Sequence, residues 1–81
     1  MLCYPARLTK DGSNILVTFR DMPEAITFGG NEKEALENAV DALETGLSLY
    51  VDDGKDWPAP SPALESEKLV FISLQGLQNL G

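Results

Sequence analysis

The chain has no histidine and a single cysteine, Cys3. The first absence removes the commonest general base and the commonest zinc ligand together. The second removes any internal disulfide, so the fold has to rest on packing. Without histidine, neither a serine–histidine nor a cysteine–histidine nucleophile can be assembled, and the catalytic repertoire shrinks to carboxylates. Positive charge is also scarce: 6 Lys and Arg stand against 13 Asp and Glu, a formal net charge of −7. Nucleic-acid affinity is built on cationic contacts to phosphate, so direct nucleic-acid binding by this segment is not expected. No run approaches the ~18 apolar residues a membrane span needs. The opening MLCYPARLTK lacks the basic, apolar, small-residue succession of a signal peptide. The expectation is a soluble cytoplasmic protein with no membrane partner.

What is present suits one small domain of 81 residues, 43% of them hydrophobic. A domain of this size buries a little over ~60% of its unfolded surface, so its core is modest. Leu2, Tyr4, Ala6 and Leu8 alternate with Cys3, Pro5, Arg7 and Thr9; further on, Ile15, Val17 and Phe19 alternate with Asn14, Leu16, Thr18 and Arg20. Period-two patterning of this kind marks strands with one face on a core. The connecting KDGSN contains Asp11-Gly12, a turn-forming pair, and the two runs are read as a hairpin. Pro5 has no N–H to donate, so its strand should be an edge or pair on only one side there. A turn at Met22-Pro23 precedes a short third strand near Glu24 to Phe28, ended by Gly29-Gly30.

Asn31 with Glu34 forms an N-x-x-E pattern close to a capping box, and Glu32 and Glu34 suit the positive end of a helix dipole. A helix is expected from about Glu32 to about Val51. Leu36, Ala39, Val40, Leu43, Leu47 and Tyr50 share its inner side, whereas Glu34, Glu37, Asp41 and Glu44 form an outer stripe. Like charges at these spacings cost a few tenths of a kcal/mol each. The stripe is either a solvated face or a surface for a basic partner. Gly54 ends the helix, and Pro58, Pro60 and Pro62 keep the connection Asp52 to Pro62 extended. Trp57, the only tryptophan, is either a lid over the core or an interface anchor. Glu67 to Leu74 is nearly continuously apolar and reads as a strand buried inside a sheet. The order β-β-β-α-β predicts an α+β fold: a two-layer domain, one antiparallel sheet with one long helix on one face.

The carboxylates do not assemble into chemistry on paper. A two-metal nuclease needs several acids converging on one point, and the first strand carries none from Leu2 to Thr9. Asp21 and Glu24 sit in a turn without an evident third partner, and one helix over one sheet offers little cleft for paired-carboxylate hydrolysis. VDDGKDW lacks the closing Glu of a calcium loop, and Gly29-Gly30 lacks the Lys and Ser/Thr of a phosphate loop. No catalytic residue, metal or cofactor is expected.

The succession of short motifs resembles the N-terminal domain of the HicB-type antitoxins. It begins with Tyr4-Pro5 and continues with TFRDMPEAITFGG, where the family carries a Phe-x-Asp-x-Pro turn followed by a Thr and a Gly. The EAL helix start (Glu34, Ala35, Leu36) and a Pro-x-Pro-Ser from Pro58 to Ser61 complete it. The resemblance runs from Met1 to Leu74. It implies a degenerate, partial ribonuclease-H-like fold that has lost catalysis. It also implies a role as antitoxin in a bacterial type II toxin–antitoxin pair, masking a small, basic, mRNA-cleaving HicA-type toxin. Family members usually continue into a C-terminal DNA-binding module. Here the expectation is a domain over 1–74 and a short tail over 75–81 without such a module.

Exposure and charge, not transfer from the family, nominate Asp21, Glu24, Asp52, Asp53 and Trp57 as partner contacts. A homo-oligomer, dimer or higher, is also expected; the rival from another class is a stand-alone homodimeric interaction or structural domain with no toxin partner, paired at exposed edges of the third and first strands. The remaining rival is a weak metal-dependent nuclease, which would bind magnesium through its carboxylates.

Overall fold

A computed structural model describes residues 2–72 of the chain. The hairpin forms as its alternation predicts: β1 (Leu2–Asp11) and β2 (Asn14–Phe19) pair antiparallel from Ala6↔Phe19 to Asp11↔Asn14. The chain then turns through Met22, whose N–H donates to the Phe19 carbonyl at 3.2 Å, and Ala25, which donates to the Met22 carbonyl at 3.0 Å. The third strand, β3 (Ile26–Gly29), starts two residues later than expected and pairs with β2. After the helix α1 (Glu32–Asp52), the chain returns as β4 (Glu67–Ile72), antiparallel to β1. The sheet order is β3-β2-β1-β4, all antiparallel, and the fold is α+β.

Two strand placements differ from expectation. β4 is an edge strand, not an interior one: it pairs with β1 alone, and only Val70 and Ile72 of its apolar run are buried. The sequence misleads here because Leu69 and Phe71 are apolar too, although they point to the other side. The last two residues of the expected strand, Ser73 and Leu74, lie outside the described residues. Conversely, β1 is central, with its first residues, Leu2 to Pro5, paired on the β4 side alone; among the described residues the outer strands are β3 and β4. Pro5 fits this position because the β1–β2 ladder stops at Ala6, leaving Pro5 paired only with Leu69 of β4.

The helix begins and ends by the chemistry written at its ends. Asn31 is the N-cap, in extended conformation, and its Oδ1 accepts from the Glu34 N–H at 2.8 Å. Glu34 reaches back past the cap to accept from the Gly30 N–H at 2.8 Å. At the other end Gly54 adopts φ +69, its N–H donating to the Val51 carbonyl at 3.0 Å while Lys55 donates to Tyr50 at 2.9 Å. This pair of bonds is a Schellman closure, in which a left-handed residue is least costly as glycine. Between these ends, Ala35, Ala39, Leu43 and Leu47 bury one stripe against the sheet. They meet Tyr4, Ala6, Val17, Phe19, Val70 and Ile72 from the strands, with Met22 and Ala25 from the turn. Small residues on the helix let it lie close. A Cβ added at Gly29 would stand 2.7 Å from the Ala35 Cα, so the end of β3 meets the first turn of α1 backbone to backbone.

Candidate partner-binding surface

The connection between α1 and β4 is fastened to the domain at several points. The Tyr4 hydroxyl, fully buried, donates to the Pro58 carbonyl at 2.6 Å. Trp57 packs against the core and donates from Nε1 to the Leu47 carbonyl at 3.1 Å. Asp21 accepts twice from Ser61, from its N–H at 2.7 Å and its hydroxyl at 2.6 Å. Arg20 holds Glu67 through Nε and Nη2 at 3.0–3.2 Å, and Nη2 also donates to the Pro62 carbonyl. Glu67 in turn accepts from the Leu64 N–H at 2.8 Å.

These contacts set the local protonation equilibria. Partial burial pushes the Asp21 carboxyl up, but the two bonds from Ser61 and the Arg20 charge outweigh it and hold Asp21 below the usual value. Glu67 is also lowered, first by its hydrogen bond from Arg20 and then by the Leu64 N–H. The Tyr4 phenol is raised, chiefly by burial and further by the Asp21 charge. Tyr50 is raised chiefly by the Glu24 carboxylate beside it.

On the far side of the helix lies the acidic part of the surface. A groove of about 400 Å³ runs between α1 and the free edge of β3, with Glu24, Ile26, Asn38, Asp41 and Leu49 on its walls. It shares Glu24 and Leu49 with a depression of about 240 Å³ that adds Tyr50, Asp53 and Lys55. It shares Asp41 and Leu49 with a shallow third hollow bordered by Glu44 and Ser48. Glu37 is exposed on the same helix. Asn38 covers part of the β3 edge, donating from Nδ2 to the Phe28 carbonyl at 2.9 Å.

The five residues nominated from sequence therefore separate into two groups. Glu24 and Asp53 face one depression, and Asp52 is exposed as the last helical residue beside them. Asp21 and Trp57 instead hold the connection in place, Asp21 half-buried and bonded to Ser61, Trp57 half-buried and bonded to Leu47. Sequence reasoning missed Arg20, Ser61 and Glu67 as the fastening of this segment. Their partners are 40 or more residues away in the chain, beyond any local pattern. The only sequence signal was Ser61 closing the Pro-x-Pro-Ser motif. Among the described residues, no three Asp, Glu or Cys side chains gather closely enough to share an ion.

A family model described as "HicB_like antitoxin of bacterial toxin-antitoxin system" matches residues 3–77. The chain belongs to the HicB-like antitoxin family. Among relatives, Antitoxin HicB 2 of Photorhabdus laumondii is 41% identical over 58 residues, covering 72% of this chain and 42% of that protein. Antitoxin HicB of Escherichia coli K12 is 38% identical over 72 residues, covering 88% of this chain and 52% of the relative. The chain thus spans about half the length of the curated relatives it matches. The crystal structure of the N-terminal domain of the Burkholderia pseudomallei antitoxin HicB superposes with a TM-score of 0.74 at 21% identity. The match covers 89% of this chain and 99% of that domain. The four-stranded sheet and single helix described above are therefore the fold of a HicB N-terminal domain. The family is described as antitoxins of bacterial toxin–antitoxin systems.

Proposed function

We propose that this HicB-like domain neutralises its toxin without catalysis, by binding a small, basic, mRNA-cleaving toxin of the HicA type and covering its active site in the cytoplasm. The observation that carries the reading is the concentration of carboxylates along α1 and in the groove beside β3, on a chain of net charge −7. Complementary potential speeds the encounter with a cationic partner and fixes its orientation. Glu24, Asp52 and Asp53 are the direct contacts in this reading. Asp21 and Trp57 act through the connection, which they hold against the end of the helix. No helix among the described residues is long and apolar enough to cross a membrane, which accords with a cytoplasmic encounter.

The test is capture of the basic protein encoded beside this chain, followed by titration calorimetry at low and high salt. Tight binding that weakens with salt, accompanied by loss of RNA cleavage by the toxin, supports the proposal. Undiminished cleavage in the presence of saturating domain would refute masking even if the two proteins bind.

A further inference from the structure

The outer edge of β3 is undefended. Edge strands are ordinarily blunted by charged side chains, proline or a covering element, because their unpaired backbone groups recruit other strands. β4, at the opposite edge, opens with Glu67 and Lys68, both held in ion pairs. β3 reads Ile-Thr-Phe-Gly, with neither a charge nor a proline. One contact fixes the direction of its backbone. Asn38 reaches the Phe28 carbonyl from α1, so that carbonyl points away from β2. In an antiparallel ladder the residue two positions away points the same way. The N–H and C=O of Ile26 and the N–H of Phe28 therefore face outward, and none has a partner among the described residues.

We propose that this edge takes up an extended, cationic segment of the partner protein as a fifth strand, and that basic and apolar residues alternate along that segment. The proposal rests on the toxin reading above for the protein that supplies the segment. Pleating sets the pattern. Thr27 lies across from the buried Val17, on the helix side of the sheet, and lines the groove with Glu24 and Asp41. Ile26 and Phe28 project to the opposite face, 58% and 59% exposed. A strand added to β3 turns alternate side chains to these two sides. Its groove-facing positions suit Lys or Arg, and the positions between them suit apolar residues; the backbone bonds supply affinity and the alternation supplies specificity. Charge selects the occupant. A second copy paired at this edge would bring two sets of the groove carboxylates together, whereas a cationic strand neutralises one.

Amide hydrogen exchange at Ile26 and Phe28 tests it, on the 81-residue chain alone, with the basic protein encoded beside it, and with a synthetic eight-residue peptide alternating lysine and valine. Both amides should exchange at least ~10-fold more slowly with saturating protein or peptide. A peptide of the same composition with its lysines in one block should protect neither. Ile26→Pro removes an outward N–H without breaking a β2–β3 bond and should weaken capture at least ~10-fold, whereas Ile26→Val should not. The exchange measurements need no variant, so a misfolded Ile26→Pro chain leaves the test intact. Capture of the protein with both amides exchanging as in the free chain overturns the proposal and leaves the toxin reading standing. Protection by the alternating peptide without capture of the protein upholds the edge and refutes the toxin reading. Silence from both probes overturns the proposal, as does equal protection by the block peptide. So does protection in the free chain that grows with its concentration, which gives the edge to a second copy.

Discussion

Asp21 commits both oxygens of its carboxylate to a residue 40 positions further along the chain. It lies in a turn beside Pro23, where an acid suggests solvent or a partner, yet both its oxygens are occupied by Ser61. Charge-assisted hydrogen bonds of this kind are worth about 1.5–3 kcal/mol at most, and partial exposure reduces that. Asp21→Ala should therefore lower unfolding stability by about 1–2 kcal/mol in urea denaturation. The pH response follows from Asp21 and Glu67, which both titrate below their ordinary values of 3.8 and 4.5 in the folded chain. A carboxylate that releases its proton more readily when folded stabilises the fold above its ordinary value. That contribution disappears as the pH falls through the lower, folded value. Thermal stability should be level above about pH 5 and fall progressively below it, with Asp21→Asn flattening the lower part of the curve. Gly29 acts by what it lacks. Gly29→Ala drives a methyl into the backbone of Ala35, and a loss of about 2 kcal/mol or more is expected in the same denaturation experiment.

At the scale of elements, local chemistry sufficed wherever the decisive partners are close in the chain. The hairpin, the N-cap and the helix stop were legible because turn residues, the Asn31–Glu34 pair and Gly54 act over three or four positions. Asn31→Ala should cost about 1 kcal/mol and fray the first turn, seen as reduced amide protection at residues 33–35 in hydrogen exchange. Position within the sheet was not legible. Leu69-Val70-Phe71-Ile72 is apolar on both sides, which ordinarily means cover on both, whereas in this chain α1 covers only the side of Val70 and Ile72. Whether a strand is central or marginal depends on which other strands it meets, and β1 pairs with β4 across 60 or more residues of chain. The candidate site was half legible for the same reason. The acids of α1 were readable as a stripe, but Glu24 and Asp53 share a depression only because the turn after β2 comes beside the helix end.

The molecule as a whole gathers carboxylates along the helix and in the groove beside β3. Charge reversal on the acidic side should act on toxin capture mainly through the association rate. Glu37→Lys with Asp41→Lys should slow association by at least ~10-fold at low salt and much less at high salt, measured by surface plasmon resonance. The fold itself should be unaffected, since both side chains are exposed and Glu37 makes no hydrogen bond or ion pair among the described residues.

The fastening of Trp57 has a practical meaning of its own. It is the only indole in the chain, half-buried, and its ring N–H is bonded to the Leu47 carbonyl. Fluorescence excited at the indole band therefore comes from a single place, the junction of helix and connection, and no dye needs to be attached to watch it. When the segment lifts away, the ring exchanges a carbonyl and hydrocarbon for water and its emission moves to longer wavelength. The chain carries its own optical gauge at the end of the helix where Asp52 and Asp53 stand.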